Sequence, residues 1–293
     1  QTADGPNGIS ANCLKMDCTT ADTSIAAGEY LQIHQLFEGQ NVQRIGKGVA
    51  GAKQITVSFY AKANAALTFC LEIRDTDNTR QISKLFTTTT DWVRHSFVIP
   101  ADEDDGSSPF ADDNALSFKM TLWLHAGATY TSGTLETAFA NSTNANRAAG
   151  IDSFFSSTDN NFFITGVQME VGPVATEFEQ EDISTTLAKC QRYYYRPTTA
   201  GDLTGNTHVQ ASSASVVVGS LIYKETMRAA PTIALFSIGN GTAGRIRKTS
   251  DGAETTSAAA ANIGINSFGF ATGMSNLTAG DAYDLTFTAD AEL

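Results

Sequence analysis

The chain holds 293 residues, of which 42% are hydrophobic and only 17% charged, and it carries a formal net charge of −12. The length suggests roughly two domains and the apolar share suffices for folded cores. The shortage of Lys and Arg excludes a protein that binds nucleic acid by neutralising phosphates, and it argues against docking on anionic lipid. No apolar run approaches the roughly 18 to 20 residues of a membrane span.

The chain opens on Gln1 without a charged-then-apolar leader. It therefore reads as a processed chain, or as one with residues upstream of this numbering. Cys13 and Cys18 are close enough to pair, and the sequence leaves their state open. With Cys70 and Cys190 they are too dispersed for a zinc site. Strict alternation then begins. Ile55, Val57 and Phe59 fall on one face, and Thr56, Ser58 and Tyr60 on the other. Leu67 to Arg74 repeats the pattern, and Val93, Phe97 and Ile99 do so up to Pro100. The longest case sets Leu116, Phe118, Met120, Leu122 and Leu124 against Ser117, Lys119, Thr121, Trp123 and His125. A period of two predicts strands that bury one face only. Turn-forming clusters separate them at Asp75 to Asn78, Asp102 to Ser108 and Asn141 to Asn146.

One segment changes period. Ile183, Leu187, Cys190 and Tyr194 form a helical stripe, which Asp182 or Ser184 can cap and Pro197 prevents from continuing. Beyond it, Val216 to Tyr223, Thr232 to Phe236, Ile263 to Phe270 and Tyr283 to Thr288 read as strands again, and the Ala258 to Ala261 run is placed in a strand or loop. The expectation is an all-β chain: a jelly-roll β-sandwich over residues 1–180, a short connecting helix over 181–197, and a second small β-sandwich domain over 198–293.

No nucleophile elbow, phosphate loop or H-E-x-x-H motif is present. His34, His95, His125 and His208 sit on separate segments and read as isolated surface or rim side chains. The acidic run that includes Asp102, Asp104 and Asp105 has the composition of a calcium loop but lacks the EF-hand spacing, so a solvated turn is the stronger reading. No cofactor is expected beyond that weak calcium candidate. The carboxylates Glu170, Glu177, Glu179, Glu181 and Asp182 are sequence neighbours, not a pair set across a cleft as glycoside hydrolysis requires. Tyr60, Trp123 and His125 are more informative. On the outward register they can form an aromatic platform beside polar groups, the arrangement that stacks on a sugar ring. The competing reading carries more weight: a covering loop or a neighbouring subunit buries them. The triplet Tyr193 to Tyr195 has the same ambiguity, and the stripe of Ile183, Leu187, Cys190 and Tyr194 is assigned to packing between domains or subunits.

Several stretches, in one order along almost the whole chain, carry a family likeness. They are Glu38 to Arg44, Thr56 to Lys62, Ile164 to Gly172 (ITGVQMEVG), Ala175 to Glu179 (ATEFE), Leu187 to Tyr194 (LAKCQRYY), Thr226 to Thr232 and Thr288 to Leu293. Together they resemble bacteriophage tail-fibre and related virion structural proteins. Met169 stands where that pattern has Leu, and Lys189 interrupts its Leu-Ala-Leu-Cys. The resemblance implies a jelly-roll domain similar to carbohydrate-binding modules and a homotrimer on the virion among other virion proteins, and the preferred reading is a non-enzymatic subunit. Contact with host cell-surface glycans then gains strength from repeated identical sites. Two alternatives stand beside this: a purely structural capsid decoration or fibre-shaft protein, and a glycan-degrading enzyme or its binding module.

Overall fold

The structure, a computed structural model, describes residues 1–103, 109–198 and 207–293. It is all-β and divides into two compact units, Gln1–Gln180 and Glu181–Glu292.

The first unit is a sandwich of two antiparallel sheets. One sheet contains β1 (Leu14–Asp17), β3 (Ile55–Ala63), β6 (Val93–Ile99) and β9 (Asn161–Val171) in the order β1-β9-β3-β6. The other contains β2 (Tyr30–Glu38), β4 (Thr68–Asp75), β5 (Arg80–Thr87), β7 (Leu116–Ala126) and the two-residue β8 (Ala140–Asn141) in the order β2-β7-β4-β5-β8. With β8 set aside as a short edge, two facing four-stranded sheets in this order are the jelly roll. Its core is the inward register of the alternating strands: Val57, Phe59, Phe69, Leu71, Ile73, Phe118, Leu122 and Leu124, with Phe162 and Ile164 from β9. Two single helical turns, α1 (Gly39–Val42) and α2 (Ala128–Thr131), interrupt the connections.

The outward faces depart from the alternation rule. Thr56 and Ser58 on β3, and Cys70, Glu72, Thr121 and Trp123 on β4 and β7, are also fully buried. The physical reason is that long connections fold back over both sheets. On β3, Thr56 donates its hydroxyl to the Gly172 carbonyl at 2.7 Å, and Arg94 bridges Ser58 and the Thr176 carbonyl. Over β7, the segment 127–151 forms the cover. The turn at Asp75 is an Asx turn, with the Asn78 N–H donating to the Asp75 carboxylate at 3.0 Å and Thr79 at φ 55°.

The second unit opens with α3 (Ile183–Gln191), whose first turn is capped by Asp182 accepting from the Ser184 N–H at 2.8 Å. The predicted stripe is corrected at its end. Tyr194 is not helical but begins β10 (Tyr194–Tyr195), paired with the chain's last strand, and the Ala291 N–H holds the Tyr193 carbonyl at 2.8 Å. Sheet pairing thus ends the helix before Pro197 is reached.

The remaining strands are β11 (Thr207–Ser213), β12 (Val216–Val218), β13 (Leu221–Ile222), β14 (Thr232–Phe236), β15 (Arg247–Lys248), β16 (Ala260–Ala261), β17 (Ser267–Phe270) and β18 (Ala282–Asp290). The long β18 pairs with β10, β11, β14 and β15, while β13, β17 and β16 make a three-stranded sheet. Phe268, Leu285, Phe287 and Tyr283 form the core that these sheets share. Val216 to Tyr223 is two strands in two sheets rather than one, because Gly219 at φ 121° turns the chain between them. Ile263 and Ile265 lie outside β17 and are exposed, since Asn262 at φ 51° breaks the extended run before it.

Candidate functional site

The outward register of β7 carries Trp123 and His125, and the segment that follows closes over them. Gly127 donates to the Glu29 carbonyl at 2.8 Å, and Thr129 to that of Ala27 at 2.9 Å, which ties this return to the loop before β2. A Cβ at Gly127 would sit 2.1 Å from the Ala26 carbonyl oxygen, so the close approach requires glycine. Tyr130 then lies over Trp123, with centroids 5.0 Å apart. Arg147 stacks on both rings, its guanidinium carbon 4.8 Å from the Trp123 centroid and 5.7 Å from that of Tyr130.

Beneath them, Glu72 accepts two hydrogen bonds from Arg147 at 2.7 and 2.9 Å, and one from the Trp123 indole at 3.0 Å. The open-platform reading of Trp123 is therefore corrected in favour of the covering loop, the reading that carries more weight. Its ring is wholly buried because its N–H needs the Glu72 acceptor and its face is taken by Tyr130 and Arg147. His125 is likewise 98% buried: 2% remains exposed. Its Nδ1 lies 2.8 Å from the Ser153 hydroxyl, and its ring meets Phe155 edge-on at 5.0 Å. Burial pushes the imidazole below the ordinary histidine range against the opposing pull of Glu29 and Asp22, so it is neutral at neutral pH.

The exposed aromatic of this cluster is Tyr30, on the opposite strand. It is 56% exposed, and it meets Trp123 at 6.0 Å and Tyr130 at 5.6 Å, both edge-to-face. Beside it lies an open cleft of about 440 Å³, lined by Thr20, Asp22, Gly28, Glu29, Tyr30, His125 and Phe155. Asp22 and Glu29 are held by the loop between them: Asp22 Oδ1 accepts from the Ser24 N–H at 2.8 Å and Glu29 Oε2 from the Ala26 N–H at 2.7 Å. A rigid aromatic edge, two carboxylates with oxygens to spare and a neutral imidazole suit hydroxyl-rich ligands. A second opening of about 490 Å³, between the sheet edges at Leu14, Ile33, Phe59, Met120 and Val167, is walled mainly by core side chains and lacks such convergent polar groups.

The other predicted residues do not join this cleft. Tyr60 is half-buried on β3 in the facing sheet, 5.8 Å beneath the Arg94 guanidinium. Asp102 is buried and held by Arg80 in a two-point contact, 2.7 Å at each end, with the Lys47 ammonium 4.0 Å away. Its oxygens are thus engaged by cations, and Asp104 and Asp105 lie outside the described residues. Among the described residues, no group of three or more His, Cys, Asp and Glu could hold a metal. The four cysteines are free thiols, with Cys13, Cys18 and Cys70 buried and Cys190 exposed.

Ile183, Leu187, Cys190 and Tyr194 are exposed. In the carboxylate cluster, Glu170 faces a burial cost that Gln168, Thr176 and Arg94 more than offset, which leaves it below the ordinary range. Lys189 does the same for Glu181, and the Ser184 hydroxyl and N–H for Asp182. A general acid of glycoside hydrolysis needs the opposite shift.

Sequence reasoning missed Tyr30, Asp22, Glu29 and Phe155. The available signal was Tyr30 at the head of the apolar segment Tyr30 to Phe37, where Leu31, Ile33 and Phe37 alternate but Gln35 and Leu36 break the pattern.

No family model and no curated protein matches the chain. Among solved structures, it is similar to a CBM4 carbohydrate-binding module, with 13% identity over 48% of this chain and 61% of that one, at a TM-score of 0.26. It is also similar to a protein from Parabacteroides distasonis described as secreted, with 9% identity over 96% and 81% at 0.23. A third likeness is the PBSX exported protein XepA, with 11% identity over 94% and 86% at 0.20. The chain thus spans about three fifths (61%) of the CBM4 structure. With scores at this level, the jelly-roll assignment rests on the strand order itself.

Proposed function

We propose that the chain is a non-catalytic subunit of a bacteriophage virion appendage, a tail fibre or related structure, that adheres to host surface glycans through the Tyr30 cleft. The observation that carries the reading is Tyr30 itself. It is a large aromatic more than half exposed, braced by Trp123 and Tyr130, beside Asp22, Glu29 and neutral His125. The packed rings over a buried polar pair fix the position of the exposed ring, as a binding side chain requires. The carboxylates accept from loop N–H groups and serve as hydrogen-bond acceptors for sugar hydroxyls. The virion setting rests on the ordered motifs from Glu38 to Leu293 that resemble tail-fibre proteins.

Homotrimeric assembly belongs to the same reading. Ile183 at 77% and Leu187 at 45% exposure lie on a helix with no buried residue, a face that copies of the chain can cover. In a trimer, three weak glycan sites act together.

A glycan array probed with the purified full chain and with Tyr30→Ala tests the proposal. Retention of a host-type glycan by the wild type, lost in Tyr30→Ala, is the expected result. Equal retention by both would move recognition away from this cleft and favour the purely structural reading.

A further inference from the structure

The cover over the five-stranded sheet extends across Trp123 and Cys70, but the neighbouring registers of the same face carry an unbalanced set of charges. Cross-strand pairing puts Lys119 of β7 directly opposite Arg74 of β4, with Leu36 of β2 and Gln81 of β5 flanking them in the row. Like charges placed directly opposite each other destabilise a sheet. The next row contains His34, Thr121, Glu72 and Ser83. Glu72 is the carboxylate within reach, and it is spent on Arg147 and the Trp123 indole. Among the described residues, neither Arg74 nor Lys119 has a hydrogen-bond or ion-pair partner. Arg74 Nε is buried with no acceptor.

Thr121 supplies an independent sign. It is completely buried, and its hydroxyl has no partner. A buried unsatisfied hydroxyl carries a desolvation penalty and calls for an explanation. The two cations are also uncomfortable as they stand. Burial first, then the nearby Arg147, pulls both Lys119 and Arg74 below their ordinary ranges, and Glu72 only partly offsets this. In a chain of net charge −12, a half-buried pair of unmatched cations beside an unsatisfied hydroxyl is a local charge deficit that an anion would fill.

We propose that Arg74 and Lys119, above the enclosed Thr121 hydroxyl, form an oxyanion subsite on this face, and that the group it takes is the carboxylate of an acidic, uronate-type sugar. The oxyanion part stands on these residues alone, and the saccharide part rests on the glycan reading of the Tyr30 cleft. A planar guanidinium and a mobile ammonium together match the several lone pairs of a carboxylate or sulfate. Half-burial raises the strength of each contact above its value at a fully hydrated surface.

The test is a side-chain NMR titration of the full chain at constant ionic strength. Sodium sulfate is compared with sodium chloride, then trigalacturonic acid with its neutral methyl ester. The expected result is a saturable shift of the Arg74 Nε–H with sulfate that Lys119→Gln weakens at least tenfold. Trigalacturonic acid is expected to bind at least tenfold more tightly than its ester, and Lys119→Gln to abolish that preference. No saturable shift at Arg74, or a shift that Lys119→Gln leaves unchanged, overturns the subsite. Equal binding of acid and ester overturns the acidic-sugar assignment. Tyr30→Ala separates the two claims. Unaltered binding of trigalacturonic acid in that variant, with loss in Lys119→Gln, would refute the cleft and sustain the subsite.

Discussion

At the scale of single residues, the Trp123 neighbourhood is a satisfied buried network. Glu72 is fully buried and Arg147 nearly so, and the pair is joined at two points. Breaking such a pair from one side leaves an uncompensated charge and costs about 3–5 kcal/mol. Arg147→Met is therefore expected to lower the denaturant midpoint severely, and Arg147→Met with Glu72→Gln, which removes the charge but keeps an acceptor for the Trp123 indole, to recover most of the loss. Equal loss in both would mean that the stacking of Arg147 on Trp123 and Tyr130, not the ion pair, dominates.

His95 makes a different residue-scale prediction. Its ring packs 5.0 Å from Phe86 and 5.6 Å from Phe59, and its Nε2 is buried without a partner. Burial holds it below the ordinary value of 6.5, so below that pH the unfolded chain binds protons that the fold resists. Stability is therefore at its full value above about pH 6.5 and falls as the pH drops from there towards the lowered folded-state value. His95→Phe is expected to flatten the fall measured by chemical denaturation between pH 7 and 5, and an unchanged slope would assign the fall to other groups.

At the scale of elements, legibility followed burial geometry. The inward registers of β3, β4 and β7 were plain in the sequence because alternation over six or more residues has one physical cause. The second buried face was not, since Thr56, Ser58, Cys70, Glu72 and Thr121 look like solvent-facing residues until the returning segments cover them. For Trp123, burial by a covering loop or a neighbouring subunit was the weightier reading of the sequence, but nothing in it identified Arg147 and Tyr130 as the cover. β2 escaped notice because Gln35 and Leu36 invert its pattern, and the Tyr30 cleft was lost with it. The helix was legible from its stripe and its Asp182 cap, but its end was not, because the pairing of β10 with β18 is a contact about ninety residues away.

A nine-residue helix with no buried side chain is marginal alone. If copies of the chain cover it, Ile183→Ser with Leu187→Ser is expected to lower the mass measured by light scattering from trimer to monomer. The melting of the jelly roll should be unchanged by that pair. An unaltered mass would remove α3 from the assembly interface.

At the scale of the whole molecule, the two units differ in how fully they could be anticipated. The jelly roll has long strands with non-local partners, and the second unit is built from short strands gathered on β18. Strands of two or three residues carry no period, so β12, β13, β15 and β16 are set by glycine turns and pairing rather than by pattern. The chemistry shows a similar contrast. Among the described residues, the carboxylates whose ionisation is displaced, Glu170, Glu181, Asp182 and Asp251, are all held towards the charged form. That suits hydrogen-bond acceptance and structural pairing rather than proton donation to a leaving group.

The central claim is a braced tyrosine that holds a sugar without breaking it. Calorimetric titration of oligosaccharides from a susceptible host's surface polysaccharide, with fragment length checked afterwards, tests it most directly. The account predicts binding that Tyr30→Ala weakens at least tenfold, with fragments recovered at their original length. Equal affinity in the variant, or shortened fragments after incubation with the wild type, would contradict it.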